Sequence, residues 1–169
     1  MTAEVRRIRA DEWAEVKALR LRALADPVAH LAFLDTAPHA AAQPDVFWQQ
    51  RAQNSAVGDG AAQFVAVADG GGWIGTATVL TSRDRPGAGL VVGVYIVDGH
   101  RGGGTIEALL DAAEAWSREQ GHSALFLEVH VDNVRAQRAY ERCGFVRTGE
   151  VTAHDNGEEY VMLRALSAR

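Results

Sequence analysis

A glycine-dense turn near the middle of the chain carries residues that could do chemistry. Gly102, Gly103 and Gly104 follow Arg101 directly and precede Thr105. Glycine lets a backbone approach a ligand closely, and the first amides of a helix that begins near Thr105 would have no partner within that helix. Unpaired amides and the positive end of a helix dipole favour anions. The turn therefore predicts a cradle for a phosphate or a pyrophosphate.

Three other interpretations of this turn differ in what they require. A P-loop needs a lysine after its last glycine, whereas Thr105 follows Gly104, so that interpretation is excluded. A dinucleotide-binding turn needs a third glycine where Glu107 stands, although Glu128 has the spacing of a ribose-binding acid. A tight turn without a ligand must explain three glycines in a row beside an arginine. The last two interpretations stay open.

The elements around the turn predict a strand–helix–strand unit. The apolar run 90–97 favours a strand in the middle of a sheet. Apolar residues at helical spacing predict a helix over 104–120, and the run 124–129 predicts the next strand. A strand–helix–strand connection makes its two strands parallel.

Shorter elements flank this unit on both sides. Before it, the patterns predict a strand near 4–9, a helix from about 13 to 24, an irregular connection over 28–43, a helix over 45–55 and a hairpin of 63–68 with 73–81. After it, Asn133 can cap a short helix, and Asn156-Gly157 predicts a closing hairpin of 145–154 with 158–166.

Composition excludes several classes of protein. With 169 residues, 47% hydrophobic and 23% charged, the chain is expected to form a single globular domain over 1–169. A net charge of -5 argues against a nucleic-acid-binding protein. No signal peptide or membrane-spanning run is visible, so a cytoplasmic location without membrane association is expected. The single cysteine, Cys143, fits core packing, and six histidines without ligand spacing predict no metal.

The chain contains two linked motifs, Ile96-x-Asp98-x-x-Arg101-Gly102-x-Gly104-x-Ile106 and Asn133-x-x-Ala136-x-x-x-Tyr140-x-x-x-Gly144-Phe145. They resemble the motifs of the GCN5-related N-acetyltransferase (GNAT) family, and the order of predicted elements matches along nearly the whole chain. Asp98 stands where that family often has proline, and Ile106 where it usually has glycine or alanine. Neither departure removes a backbone donor from the turn.

The resemblance implies an α/β (α+β) fold with a central mixed, mostly antiparallel sheet. About seven strands are expected, splayed between strands 4 and 5 and flanked by about four helices. The implied activity is direct transfer of an acetyl group from acetyl-CoA to a primary amine of a small molecule or of a peptide or protein N-terminus. A homodimer is a family expectation. A non-catalytic acyl-CoA-binding sensor and a binder of another nucleotide are the alternatives.

The resemblance also implies where acetyl-CoA would bind. Arg101 is expected to contact phosphate or to form a surface ion pair, and Asn133 to contact the pantetheine arm. Tyr140 would border the same ligand. The pantetheine arm would lie along Val94, Tyr95 and Ile96, and the pyrophosphate on the amides of Gly102, Gly103, Gly104, Thr105, Ile106 and Glu107.

Acetyl transfer to an amine needs a base, a donor for the oxyanion and an acid for the leaving thiolate. Tyr140 stands where the family carries its general acid, and a core tyrosine is the alternative. A backbone amide near Ile96 is the expected oxyanion donor. Glu128 is the candidate base, because burial in an apolar strand would raise its pKa, although a structural role is open. His130 and Tyr95 are weaker candidates that would act through water.

The acceptor is expected to enter between the connection 28–43 and the final hairpin. Candidate lining residues are Phe33, Asp35, Trp48 and Tyr160, although aromatic residues there also suit a core. No motif in these segments identifies the acceptor.

Overall fold

Seven strands form one central sheet within residues 3–166, the part of the chain that the computed structural model describes. In chain order the strands are Glu4–Arg7 (β1), Ala61–Val67 (β2), Trp73–Thr81 (β3), Ala88–Ile96 (β4), Ala124–His130 (β5), Val146–His154 (β6) and Gly157–Ala165 (β7). They lie side by side in the order β1-β2-β3-β4-β5-β7-β6. Only β4 and β5 run parallel among these pairs, which confirms the predicted mixed, mostly antiparallel sheet.

Five α-helices lie within the same described residues. They are Trp13–Leu24 (α1), Ala37–Ala41 (α2), Asp45–Ala56 (α3), Thr105–Glu119 (α4) and Val134–Arg142 (α5). None of the helices described has the length and apolar content needed to cross a membrane.

The connection predicted to be irregular contains two short helical segments. A 3₁₀ turn occupies Ala29–Leu31, and α2 follows it. Thr36 caps α2, because its hydroxyl accepts a hydrogen bond from the His39 amide at 3.4 Å. Thr36 before Ala37-Pro38 is a helix-start signal, but five residues are too few to produce a periodic apolar pattern.

The two faces of the sheet bury separate apolar clusters. Side chains alternate along β2, so Phe64 packs towards α4 and α5 while its neighbour Val65 packs towards α1 and α3. Leu109 and Trp116 lie on the buried stripe of α4, as its apolar spacing predicts. The four longer helices therefore flank the sheet in pairs.

The strands β4 and β5 separate soon after they begin to pair. Pairing joins 88–90 to 124–126 and ends there. Beyond Leu90, no partner pairs with β4 on its β5 side among the residues described. The predicted splay between the fourth and fifth strands is thereby confirmed, and it leaves backbone groups of both strands free for a ligand.

A bulge on the other edge of β4 gives the splay a local cause. Between two successive pairs with β3, one residue of β3 faces two residues of β4, Gly93 and Val94. Gly93 has φ 63°, in the left-handed region. A bulge bends its strand and increases the local twist, which turns β4 away from β5. An isolated glycine inside an apolar strand is a bulge signal that the sequence analysis did not use.

Candidate active site

The space between the separated strands is a cavity of about 920 Å³. Its walls come from the loop after α1, from β4 and β5, from the start of α4 and from one face of α5. Ligand-binding cavities in proteins are typically roughly 300–1,000 Å³, so this one is large enough for an extended cofactor.

Most of the residues predicted for the site line this cavity. Gly103 and Gly104 are the exceptions, because they lie in the exposed turn before α4. The lining includes both predicted catalytic residues, Glu128 and Tyr140. The predicted cofactor residues among the lining are Val94, Tyr95, Ile96, Arg101, Gly102, Thr105, Ile106, Glu107, Asn133 and Tyr140.

The glycine turn presents the start of α4 to the cavity. Gly102 and Gly104 have φ 80° and 86°, a conformation that suits glycine. Gly104 precedes the helix without a side-chain cap, and its carbonyl accepts the first helical hydrogen bond from the Ala108 amide at 3.1 Å. The amides of 105–107 precede that bond, so they have no acceptor within the helix. This is the arrangement that an anion cradle requires.

Arg101 borders the cavity, but its guanidinium already has three partners. Its Nε donates to the Ile96 carbonyl at 3.1 Å, and its Nη2 lies 3.2 Å from the Asp26 carboxylate. Asp98 lies 3.5 Å from Nη1. The ion pair that the sequence left open is therefore present, and it ties the end of β4 to the loop after α1. A phosphate contact by Arg101 stays a prediction.

Two asparagines hold the 29–31 turn against the site. Asn133 caps α5 as predicted, because its Oδ1 accepts from the Ala136 amide at 3.2 Å. Its Nδ2 donates to the Leu31 carbonyl at 3.5 Å, and Asn156 donates to the His30 carbonyl at 2.7 Å. These bonds join the loop after α1 to α5 and to the β6–β7 turn.

Tyr140 lies on the inner face of α5 and is buried. Its ring packs edge-to-face against Phe145 at 6.1 Å. Burial raises the pKa of its phenol well above the usual value, and negative charge at Cys143 and Glu159 raises it further. The hydroxyl has no hydrogen-bond partner among residues 3–166, and Tyr140 is one of the residues that line the cavity.

Cys143, one turn along α5, packs in the core as predicted. Burial, and to a smaller extent the Glu107 carboxylate, raise the pKa of its thiol to about 11. A thiol with a raised pKa is a poor nucleophile at neutral pH.

Two carboxylates border the cavity on the strands opposite β4. The Glu128 side chain is 34% exposed, so it lies less deeply than the sequence predicted. The more buried acid is Glu159 on β7, with a 14% exposed side chain. Burial raises the pKa of Glu159, and the Glu128 charge adds to this, while His154 and His130 oppose it. The burial expected for Glu128 therefore applies to Glu159.

His154 at the end of β6 lies between these two acids. Its Nε2 is 3.3 Å from Glu159 and 3.5 Å from Glu128. The ligand-type atoms of the three side chains lie within 4.8 Å of one another. Spacing along the chain does not reveal this group, because the pairing of β5, β7 and β6 brings it together. The absence of a metal stays a prediction.

His130, a weaker candidate base, has both ring nitrogens occupied. Its Nδ1 accepts from the Asp132 amide at 3.0 Å, and its Nε2 donates to the Asn156 carbonyl at 2.8 Å. This pairing leaves neither ring nitrogen with a free lone pair. The His130 ring therefore supports the β6–β7 turn through its hydrogen bonds and is not placed to act as a base.

We expect Gly157→Ala to lower the free energy of unfolding by roughly 1–3 kcal/mol. Gly157 has φ +123°, and a Cβ there would lie 2.7 Å from the His130 Nε2. Urea denaturation measures the change. Gly70→Ala is the matched control, because Gly70 lies in open space without a positive φ. Equal effects of the two substitutions on the free energy of unfolding would contradict the supporting role of His130.

The far end of the cavity differs in part from the sequence prediction. Phe33 and Asp35 line it, whereas Trp48 is buried in the core between α3 and α1. Tyr160 lies under the Arg147 guanidinium at 3.9 Å and is not part of the lining. Two arginines that the sequence analysis did not single out, on α1 and α3, also border this end.

Comparisons with known proteins agree with this architecture. The chain is 32% identical over 109 residues to aminoglycoside N(6')-acetyltransferase type 1 of Stenotrophomonas maltophilia, covering 61% of this chain and 71% of that one. A nourseothricin acetyltransferase structure is 31% identical, with a TM-score of 0.57 over 63% of this chain and 66% of that chain. A phosphinothricin acetyltransferase of the GNAT superfamily from Sinorhizobium meliloti, in complex with AcCoA, has a TM-score of 0.79 at 18% identity. That match covers 99% of this chain and 90% of the other.

The family match itself is broad. The model of the family described as acetyltransferase (GNAT) matches residues 22–145, well over half of the chain. That range contains the cradle, the splayed strands and the helix that carries Tyr140. The protein therefore belongs to the acetyltransferase (GNAT) family and is an acyl-CoA-dependent acetyltransferase.

Proposed function

We propose that the protein transfers an acetyl group from acetyl-CoA to the primary amine of a small molecule, in a ternary complex. One observation carries the proposal: a single cavity joins the uncapped amides of α4 to a buried phenol and two carboxylates. The amides suit a pyrophosphate, and the phenol and carboxylates suit proton transfer to and from an amide-forming reaction.

The shape of the cavity supports acetyl-CoA as the donor. The backbone of 94–96 has no strand partner on its β5 side, so an amide-containing pantetheine arm can pair with it as a strand would. The pyrophosphate then lies on the amides of 105–107. The related phosphinothricin acetyltransferase was crystallised with AcCoA, which supports the same donor here.

In the proposed reaction the acceptor ammonium first loses a proton to Glu128. The amine then attacks the thioester carbonyl carbon, so a C–N bond forms, and a β4 amide near Ile96 stabilises the oxyanion. The C–S bond breaks as Tyr140 donates its proton to the leaving sulfur. The second proton of the nitrogen restores the Tyr140 phenol, and the products are CoA and an N-acetyl amine. Glu128 returns its proton to solvent.

We assign the two carboxylates different roles towards the acceptor amine. Glu128 is the more exposed, so a proton can pass from it to water, and it is the proposed base. Glu159 is more buried and lies next to His154, which suits holding the ammonium in place. A small acceptor is favoured because the 29–31 turn is tied down over the cavity by Asn133 and Asn156.

Thermal-shift titration tests the donor. Acetyl-CoA and CoA are expected to raise the melting temperature, since a ligand at about 100 times its Kd adds about 2.7 kcal/mol of stability. NAD is expected to give no shift. Stabilisation by NAD without stabilisation by CoA would contradict the proposal.

A further inference from the structure

Two arginines reach the acceptor end of the cavity from the helices on the other face of the sheet. Arg20 comes from α1 and Arg51 from α3, and both line the cavity. Arg20 lies close to the bulge in β4, since its Nη1 would be 4.0 Å from a Cβ placed on Gly93. The pair therefore lies beside the strand that is proposed to hold the acyl arm.

Neither guanidinium has a carboxylate within 4.0 Å among residues 3–166. The Arg20 Nε is buried without a hydrogen-bond partner, and its guanidinium stacks on the Phe33 ring at 4.6 Å. Arg51 lies over Trp48 at 5.9 Å. Stacking on a ring leaves the donors at the edge of a guanidinium free for another group.

Asp35 is close enough to influence both arginines but is engaged in its own loop. Its Oδ1 accepts from His39 Nδ1 at 2.7 Å and from the Thr36 amide at 2.8 Å. It therefore serves the cap region of α2 and makes no ion pair with either guanidinium. Among the other lining arginines, Arg101 is already paired, as described above.

The arrangement is unfavourable without an anion. Burial and the neighbouring charge of Arg51 lower the pKa of Arg20, while the charge of Asp35 opposes them, and the resulting pKa is about 10. Burial also lowers the pKa of Arg51. Like charges that are partly removed from water are stabilised when a hydrogen-bonding anion joins them, and the planar fork of arginine matches a carboxylate.

We infer that the acceptor is an amine that also carries a carboxylate, as a free amino acid does. Its carboxylate would bind Arg20 and Arg51, while its ammonium would face Glu128 and Glu159. The inference rests on the proposed function and narrows its substrate class. A polycationic acceptor, or a peptide N-terminus without a nearby carboxylate, would leave both guanidiniums uncompensated.

Paired substrates test the inference. Thiol release from acetyl-CoA is measured for each of the twenty L-amino acids and for the corresponding amino-acid amides, which keep the side chain but lose the carboxylate charge. For at least one amino acid we expect kcat/KM about 100-fold above that of its amide, since charge-assisted hydrogen bonds are lost. The amino group of an amino-acid amide is less basic than that of the free amino acid, so it loses its proton more easily. Easier deprotonation would therefore favour the amide and cannot explain a preference for the amino acid.

Arginine variants localise the effect. Arg20→Gln and Arg51→Gln are expected to raise KM for the preferred amino acid about 100-fold and to leave the amide unaffected. Arg22→Gln, an exposed position on α1, is the matched control and should behave as wild type. Without ligand, Arg20→Gln should also raise the melting temperature, because it removes the repulsion between two partly buried positive charges. An arginine with a merely structural role would lower it.

Defined outcomes would overturn the inference. The first is equal turnover of the free amino acids and their amides by the wild type. The second is an equal loss of activity towards amino acids and amides in the arginine variants. The third is binding of acetyl-CoA without acetylation of any amino acid or amino-acid amide. Failure of the proposed function is separate: no amine of any class, with or without a carboxylate, would then release thiol from acetyl-CoA.

Discussion

Tyr140→Phe is expected to lower kcat about 100-fold or more while the affinity for acetyl-CoA stays unchanged. A positioned general acid contributes typically about 10²–10⁴ to a rate. The substitution keeps the buried ring and its packing on Phe145 but removes the hydroxyl. Stopped-flow or steady-state thiol release measures the rate, and thermal shift measures the binding.

The pH dependence adds a second test of the same residue. Because the pKa of Tyr140 is raised by burial, its phenol stays protonated through the physiological range, and it should cause no loss of rate on the alkaline side up to about pH 10. Tyr160→Phe makes the same change outside the cavity and is the control. If both variants keep the wild-type rate, Tyr140 is a core tyrosine.

Glu128→Gln is expected to lower the rate about 100-fold at neutral pH, with partial recovery at alkaline pH. At neutral pH the acceptor is an ammonium that needs a base, whereas at high pH solution supplies the free amine. The measurement is kcat/KM against pH for wild type and variant. An unchanged profile would rule out Glu128 as the base.

Two matched variants separate the base from its neighbour. Glu159→Gln should mainly raise KM for the amine, since that carboxylate is proposed to hold the ammonium. Glu158→Gln removes an exposed carboxylate of the same strand and should change neither constant. The raised pKa of Glu159 means that ionising it lowers stability as pH rises through that pKa, so Glu159→Gln should stabilise the protein at neutral pH. A rate loss at neutral pH with alkaline recovery in Glu159→Gln, and not in Glu128→Gln, would exchange the two roles.

Local signals in the sequence predict the elements that surround the proposed cofactor half of the site. The glycine turn, the apolar stripe of α4 and the Asn133 cap each depend on residues a few positions apart, and all three form as predicted. The parallel pairing of β4 and β5 follows from the helix between them. The pattern Asn133 to Tyr140 then brings a phenol to the same cavity.

The acceptor half depends on contacts that sequence spacing does not encode. Glu159 and His154 meet Glu128 only because β7 pairs with both β5 and β6. Arg20 and Arg51 come from helices on the opposite face of the sheet. Each is also an arginine, a residue type that proteins mostly expose to solvent. The deeper burial of Glu159, compared with Glu128, likewise follows from tertiary packing.

The most direct measurement of the central claim is acetyl transfer itself. Purified protein is incubated with acetyl-CoA and the amine panel, and released thiol is compared with N-acetyl product identified by mass spectrometry. We expect equal amounts of both, at a rate that Tyr140→Phe reduces about 100-fold. Tight binding of acetyl-CoA with no N-acetyl product from any amine would contradict it and would favour an acyl-CoA sensor.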